Sequence, residues 1–219
     1  MRLETSDLRA VPSPLYVICD AEACDRAGWT LVDFAAACID GGATFLQVRA
    51  KGASSSWLLD ATTAVVRRAQ GAGTLVVVND RADLARLAGA GGVHVGQTDL
   101  SPAAVRIVVG PEAVVGRSTH TPDQYEAAFG EPVDYVAIGP VFATATKATG
   151  CEAVGLEGVR RAAARTAAHG LPLVAIGGVT VDRARSVRDA GAQSIAVISD
   201  LLATGDPAGR VREFLSALE

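Results

Sequence analysis

Eight short runs of apolar, mostly β-branched residues recur along this chain, separated by longer segments with helical spacing of their apolar positions. That alternation restricts the fold more than any other feature of the sequence. The runs are Leu15–Cys19, Phe45–Val48, Thr74–Val78, Gly92–Val95, Ala113–Arg117, Asp134–Ile138, Pro172–Ile176 and Ser194–Ile198. Helices read between them at Leu31–Ile39, Trp57–Ala69, Ala82–Leu87, Pro102–Val108 and Leu156–Ala168. Strands that are apolar on both faces and alternate with helices pair in parallel and are covered on both sides. Eight such units in 219 residues predict a single closed (β/α)8 TIM barrel, with residues 1–13 as an N-terminal extension. An open doubly wound sheet is the alternative, but no G-x-G-x-x-G turn follows the first run.

Local signals agree with these boundaries. Ser101-Pro102 and Thr121-Pro122 place a capping oxygen before a proline at the first helical position. Thr180 is the expected cap of a helix over Val181–Ala190, which Gly191 ends. Hydrophobic residues make up 49% of the chain and mean hydropathy is +0.28, yet each apolar run stops at roughly ten residues, about half of a membrane span. The hydrophobicity therefore belongs to buried strands and helix faces, and no membrane partner is expected. Met1–Pro14 carries four charges and no apolar core of a leader, so a cytoplasmic protein is expected. Net charge is −4 with lysine and arginine scattered, which argues against a nucleic-acid partner. Cys19, Cys24, Cys38 and Cys151 lack CxxC or Cys/His ligand spacing and read as reduced, buried thiols. Oligomeric state is left open, a homo-oligomer being compatible with the sequence.

In a barrel of this kind, function collects where strands end and loops lead into helices. After the second run stand Gln47, Arg49 and Lys51, which alternation aims to one side, an arrangement suited to a polyanion. Asn79-Asp80 follows the third run and Asp99 the fourth. Two carboxylates from neighbouring strand ends can share one hard cation whose remaining ligands are phosphate oxygens and water, which is how magnesium is held. Asp83, one turn into its helix, reads as an N-terminal helix charge. His94 reads equally as a satisfied wall residue or as part of a substrate wall. Ser118 reads either as a donor to an anion or as a loop residue; His120 follows it, and His169 reads as structural. The sixth run leads into a long loop, 139–150, containing Thr144, Thr146 and Lys147, with the size and side chains of a phosphate-binding lid. Gly177-Gly178 and Ile198-Ser199 close the seventh and eighth runs, where such barrels often bind a phosphate, with Ser199–Ala203 long enough for a short extra helix. Two anion sites result, one for a diphosphate with its metal and one for a monophosphate.

The set Gln47–Lys51, Asn79-Asp80-Arg81, Gly92–Asp99, Ser118–His120, Gly139–Lys147 and Ala175–Gly178 resembles the thiamine phosphate synthase family, in the same order and spacing over roughly Leu15–Ala203. The resemblance implies condensation of hydroxymethylpyrimidine diphosphate with thiazole phosphate, giving thiamine phosphate and pyrophosphate. It implies Mg2+ on Asp80 and Asp99, and Arg49, Lys51, Asn79, Ser118 and Lys147 around the diphosphate. It implies Gln47 on the pyrimidine, and Thr144, Thr146, Gly178, Ile198 and Ser199 at the thiazole phosphate. A thiazole tautomerase of the same superfamily and a non-catalytic phosphate-binding barrel are the competing expectations. Several positions depart from the family pattern: Ala143 and Ala145 replace lid prolines, and Asp200 stands where a small residue is usual. Unless it points away, its charge is expected to weaken the monophosphate site.

Overall fold

The computed structural model describes residues 13–143 and 152–219. Eight strands close a parallel barrel in sequence order. They are β1 (Leu15–Asp20), β2 (Phe45–Arg49), β3 (Leu75–Asn79), β4 (Gly92–Val95), β5 (Val114–Thr119), β6 (Tyr135–Ile138), β7 (Leu173–Ile176) and β8 (Ser194–Val197). Closure is made by β1, which pairs with β2 through Val17↔Leu46 and with β8 through Tyr16↔Ala196. The strands match the expected runs to within one or two residues. Helices cover the outside: α1 (Ala21–Arg26), α2 (Leu31–Asp40), α3 (Ser55–Gln70), α4 (Ala82–Ala88), α5 (Pro102–Val109), α6 (Pro122–Ala128), α7 (Gly155–Ala168), α8 (Val181–Asp189) and α9 (Pro207–Ala217). A short 3-10 helix, Ser199–Leu202, follows β8, in the place foreseen for an extra helix. Among the described residues no helix is long and apolar enough to cross a membrane.

Two cores result from the alternation of side chains along each strand. The outward residues, among them Leu15, Val17, Leu46, Val48, Val76 and Val78, pack against the helices in one large apolar layer. The inward ones, Tyr16, Ile18, Phe45, Val77, Tyr135, Ala137, Val174 and Ala196, fill the barrel. Tyr16 and Phe45 stack with centroids 3.7 Å apart, and Tyr135 meets both edge-on. Gly116 on β5 lies in register between His94 and Tyr135, whose side chains occupy the space its own would need.

The helix ends follow from local chemistry. Ser101 and Thr121 hydroxyls accept from the backbone N–H of Ala104 and Gln124, as the Ser-Pro and Thr-Pro pairs predict. Thr180 departs from expectation. Its hydroxyl donates to Asp182 instead of capping α8, and the N–H of Val181 donates to Asp200 at 3.2 Å. A carboxylate brought from the next strand end replaces the local cap because it also complements the helix dipole.

Cys19, Cys24 and Cys38 are free and buried, while Cys151 lies outside the described residues. Burial pushes all three thiols up, Cys24 to about 12, so they stay protonated and inert near neutral pH. In the unfolded chain they ionise near pH 8.5. A raised folded value means that this stability is intact below the unfolded pKa and falls as pH climbs beyond it. The expected urea midpoint is flat up to about pH 8 and drops above about pH 9, with a shallower drop in Cys38→Ala; equal slopes in the two proteins would contradict this.

Candidate active site

A cavity of about 460 Å³ opens at the carboxyl ends of the strands. Gln47, Arg49, Asn79, Ser118, Gly178, Ile198 and Ser199 all line it, so seven residues drawn from five strand ends meet at one mouth. Thr144, Thr146 and Lys147 lie outside the described residues, as does Ala145.

On one side, β2 turns Gln47 and Arg49 inward together, as their spacing requires. Arg49 Nη1 is paired with Asp20 Oδ2, a carboxylate buried at the end of β1. Asp20 Oδ1 in turn accepts from the N–H of Ala23 and so caps α1. Its two oxygens thus divide between helix and guanidinium, which fixes Arg49 against the wall. Sequence reading passed over Asp20, although it directly follows the first apolar run, where functional residues were expected.

Asp80 follows β3 and has φ +65°, a left-handed conformation that Asp tolerates better than most residues. Its backbone N–H donates to the carbonyl of His94 at 2.9 Å, which ties the turn to β4. Lys51 Nζ lies 3.1 Å from Asp80 Oδ2. Asp99 accepts from the N–H of Gly96 at 2.8 Å and meets Asp80 side chain to side chain. Burial and a hydrogen bond with Asp99 raise the Asp80 carboxyl above its usual range, against the opposing pull of Lys51. Burial acts upward on Asp99 too, but its bonds with Asp80 and Gly96 and the charges of Lys51 and Arg117 carry it below the usual value. Two carboxylates this close repel each other when both are ionised, and a cation between them would relieve that repulsion. Among the described residues no set of three or more His, Cys, Asp or Glu side chains could hold a metal, and a cation held by these two carboxylates would need further ligands from substrate and water.

On the opposite side, Gly177 and Gly178 have φ +107° and +63°. A Cβ on Gly178 would stand 2.8 Å from the carbonyl oxygen of Ala143, and one on Gly177 would stand 2.6 Å from Pro140, so only glycine fits. Arg183, unanticipated from sequence, also lines this side. Its guanidinium lies 4.8 Å over the ring of Phe142 and donates to the carbonyl of Gly178 at 3.2 Å. Asp200 borders the cavity, but its carboxylate is turned to the outer layer, accepting from Arg210 Nε at 3.1 Å and Nη2 at 2.7 Å as well as from Val181. The expected conflict with a phosphate is thereby removed. Arg210→Ala should lower stability by about 1.5–3 kcal/mol and raise KM for a phosphorylated ligand at this side. Adding Asp200→Ala should restore most of the KM; denaturant midpoints and KM for the three variants check both.

A model described as thiamine monophosphate synthase matches residues 15–201, nearly the whole barrel. The chain belongs to the thiamine monophosphate synthase family. Members of this transferase family include a thiamine-phosphate synthase of Koribacter versatilis, 48% identical over 93% of this chain and 95% of the relative. One from Mycobacterium tuberculosis is 37% identical over 96% of each chain. The solved thiamine phosphate pyrophosphorylase of Pyrococcus furiosus superposes with a TM-score of 0.85 at 28% identity, covering 97% of this chain and 98% of its own. For a thiamine monophosphate synthase, the residues expected from sequence divide: seven line the cavity, Lys51, Asp80 and Asp99 meet beside it without lining it, and Thr144, Thr146 and Lys147 lie outside the described residues.

Proposed function

We propose that this chain, as a thiamine-phosphate synthase, condenses hydroxymethylpyrimidine diphosphate with thiazole phosphate and releases pyrophosphate. The observation that carries the reading is the meeting of Asp80 and Asp99 beside Lys51 at adjacent strand ends. That donor set fits Mg2+, which when bound neutralises charge building on the departing diphosphate. Asp80 and Asp99 would hold it. Arg49, fixed by Asp20, works with Lys51, Asn79 and Ser118 to grip the diphosphate oxygens, and the resemblance adds Lys147.

Gln47 orients the pyrimidine. The C–O bond to the diphosphate breaks to leave a pyrimidine-stabilised cation, and the thiazole nitrogen supplies the electron pair of the new C–N bond. Gly178, Ile198 and Ser199, joined by Thr144 and Thr146 on the resemblance, hold the thiazole phosphate so that this nitrogen is in place. Such a substitution calls for charge stabilisation at the leaving group, not for a general base, and the cations at this mouth supply it.

A thiazole tautomerase is the second reading. His120 lines the cavity, with Nδ1 on the carbonyl of Gly139 at 2.6 Å, and could move a proton there. That reaction has no use for paired carboxylates. Purified protein given both phosphorylated substrates should form thiamine phosphate and pyrophosphate in equal amounts, and only with magnesium. Isomerised thiazole without pyrophosphate would establish the second reading instead.

A further inference from the structure

Five buried polar side chains form one hydrogen-bond path across the floor of the cavity. Gln47 Nε2 donates to Tyr16 Oη at 2.6 Å, and Tyr16 Oη lies 3.0 Å from Tyr135 Oη. Tyr135 Oη lies 2.8 Å from His94 Nδ1, and His94 Nε2 lies 2.7 Å from Ser118 Oγ. The five come from β2, β1, β6, β4 and β5, and each is buried.

Giving every buried donor on the path an acceptor assigns it a direction. An amide nitrogen only donates, and a phenol has a single hydrogen to give. With Gln47 donating to Tyr16, the Tyr16 hydrogen serves Tyr135, and the Tyr135 hydrogen serves His94 Nδ1. Burial raises the pKa of both phenols, so neither hydrogen is lost near neutral pH. A neutral imidazole that accepts at Nδ1 carries its proton on Nε2, and that proton goes to Ser118 Oγ. Ser118 therefore receives at its oxygen from the wall, and its own hydrogen is turned away from His94 toward the cavity it lines.

We propose that Gln47, Tyr16, Tyr135 and His94 form a directed positioning chain that presents Ser118 as a hydrogen-bond donor to an anionic oxygen of the substrate. The identity of that oxygen rests on the function proposed above; the direction of the chain does not. The reverse order would need Tyr16 to donate to the Gln47 amide oxygen and Ser118 to donate to His94, which would spend the serine hydrogen on the wall. Tyr16, Tyr135 and His94 are positioning residues in this scheme, acting only through Ser118.

The tautomer of His94 reports the direction. Nitrogen-15 NMR of the imidazoles is tractable because the chain has three histidines, and His94→Gln assigns the signal. The native protein should show His94 protonated at Nε2, and Tyr135→Phe should shift it toward Nδ1. A native Nδ1–H tautomer overturns the proposal, whatever the enzyme's activity. The kinetic arm is a double-mutant cycle on pyrophosphate release. Ser118→Ala should slow kcat about 100-fold, Tyr135→Phe should slow it less, and the double variant should be no slower than Ser118→Ala alone, all with an unchanged KM for thiazole phosphate. Multiplying losses would mean that Tyr135 acts independently of Ser118, which also overturns it. If no synthase activity exists but the tautomer is Nε2–H, the functional reading fails while the direction of the chain stands.

Discussion

Asp80→Asn is expected to lower kcat/KM for pyrophosphate release by about 100- to 1,000-fold at limiting magnesium, with little change in folding stability. Asparagine is chosen because Asp80 sits at φ +65°, where alanine would add backbone strain and asparagine does not. The substitution keeps shape and removes charge, so the remaining Asp99 faces Lys51 and the metal site with one carboxylate instead of two. About 3–4 kcal/mol of barrier is the usual loss when one preorganised electrostatic group is removed from a charge-separating step. Raising magnesium should recover part of the rate, because the defect includes metal affinity; an Asp80→Asn enzyme with normal turnover at limiting magnesium would show that the carboxylate has another purpose.

The second large effect concerns stability. Gly116→Ala is expected to destabilise the barrel by about 3–6 kcal/mol, combining overpacking with loss of buried hydrogen bonds. A Cβ there would overlap the Tyr135 ring at Cζ and Oη and stand 2.6 Å from His94 Nδ1. Neither ring can retreat: Tyr135 is wedged edge-on against Tyr16 and Phe45, and His94 stacks on Tyr135 with centroids 5.5 Å apart. Moving either one breaks the path that begins at Gln47. Gly71→Ala is the matched control, since its φ is −70° and a Cβ there meets nothing within 4 Å. It should be neutral, or stabilise by about 0.4–1 kcal/mol. Denaturant midpoints separate the two, and comparable midpoints would contradict the account of the barrel interior.

The barrel was legible because its signal is repeated. One ambiguous apolar run says little, but eight of them spaced by helical segments leave one closure that covers every strand. The same logic made Gln47, Arg49 and Lys51 readable, because period-two alternation converts spacing into direction. Asp80 and Asp99 were readable as a pair only through strand adjacency, which the barrel supplies. What stayed hidden depends on contacts between distant segments. Tyr16 and Tyr135 look like ordinary core aromatics, 119 residues apart, until register brings their hydroxyls to 3.0 Å. His94 stood undecided between wall and site, and the structure buries it in the barrel wall where it also lines the cavity. Asp200 looked damaging to a phosphate because nothing local revealed Arg210, ten residues on, and Thr180 looked like a cap because no local rule anticipates a carboxylate arriving from β8.

The most direct test of the shared cation site is calorimetric titration of Mn2+ into the protein in the presence of pyrophosphate. One ion should bind per chain, and Asp80→Asn combined with Asp99→Asn should abolish that binding while circular dichroism stays native. Unchanged stoichiometry and affinity in the double variant would contradict the claim that these two strand ends hold the metal on which departure of the diphosphate depends.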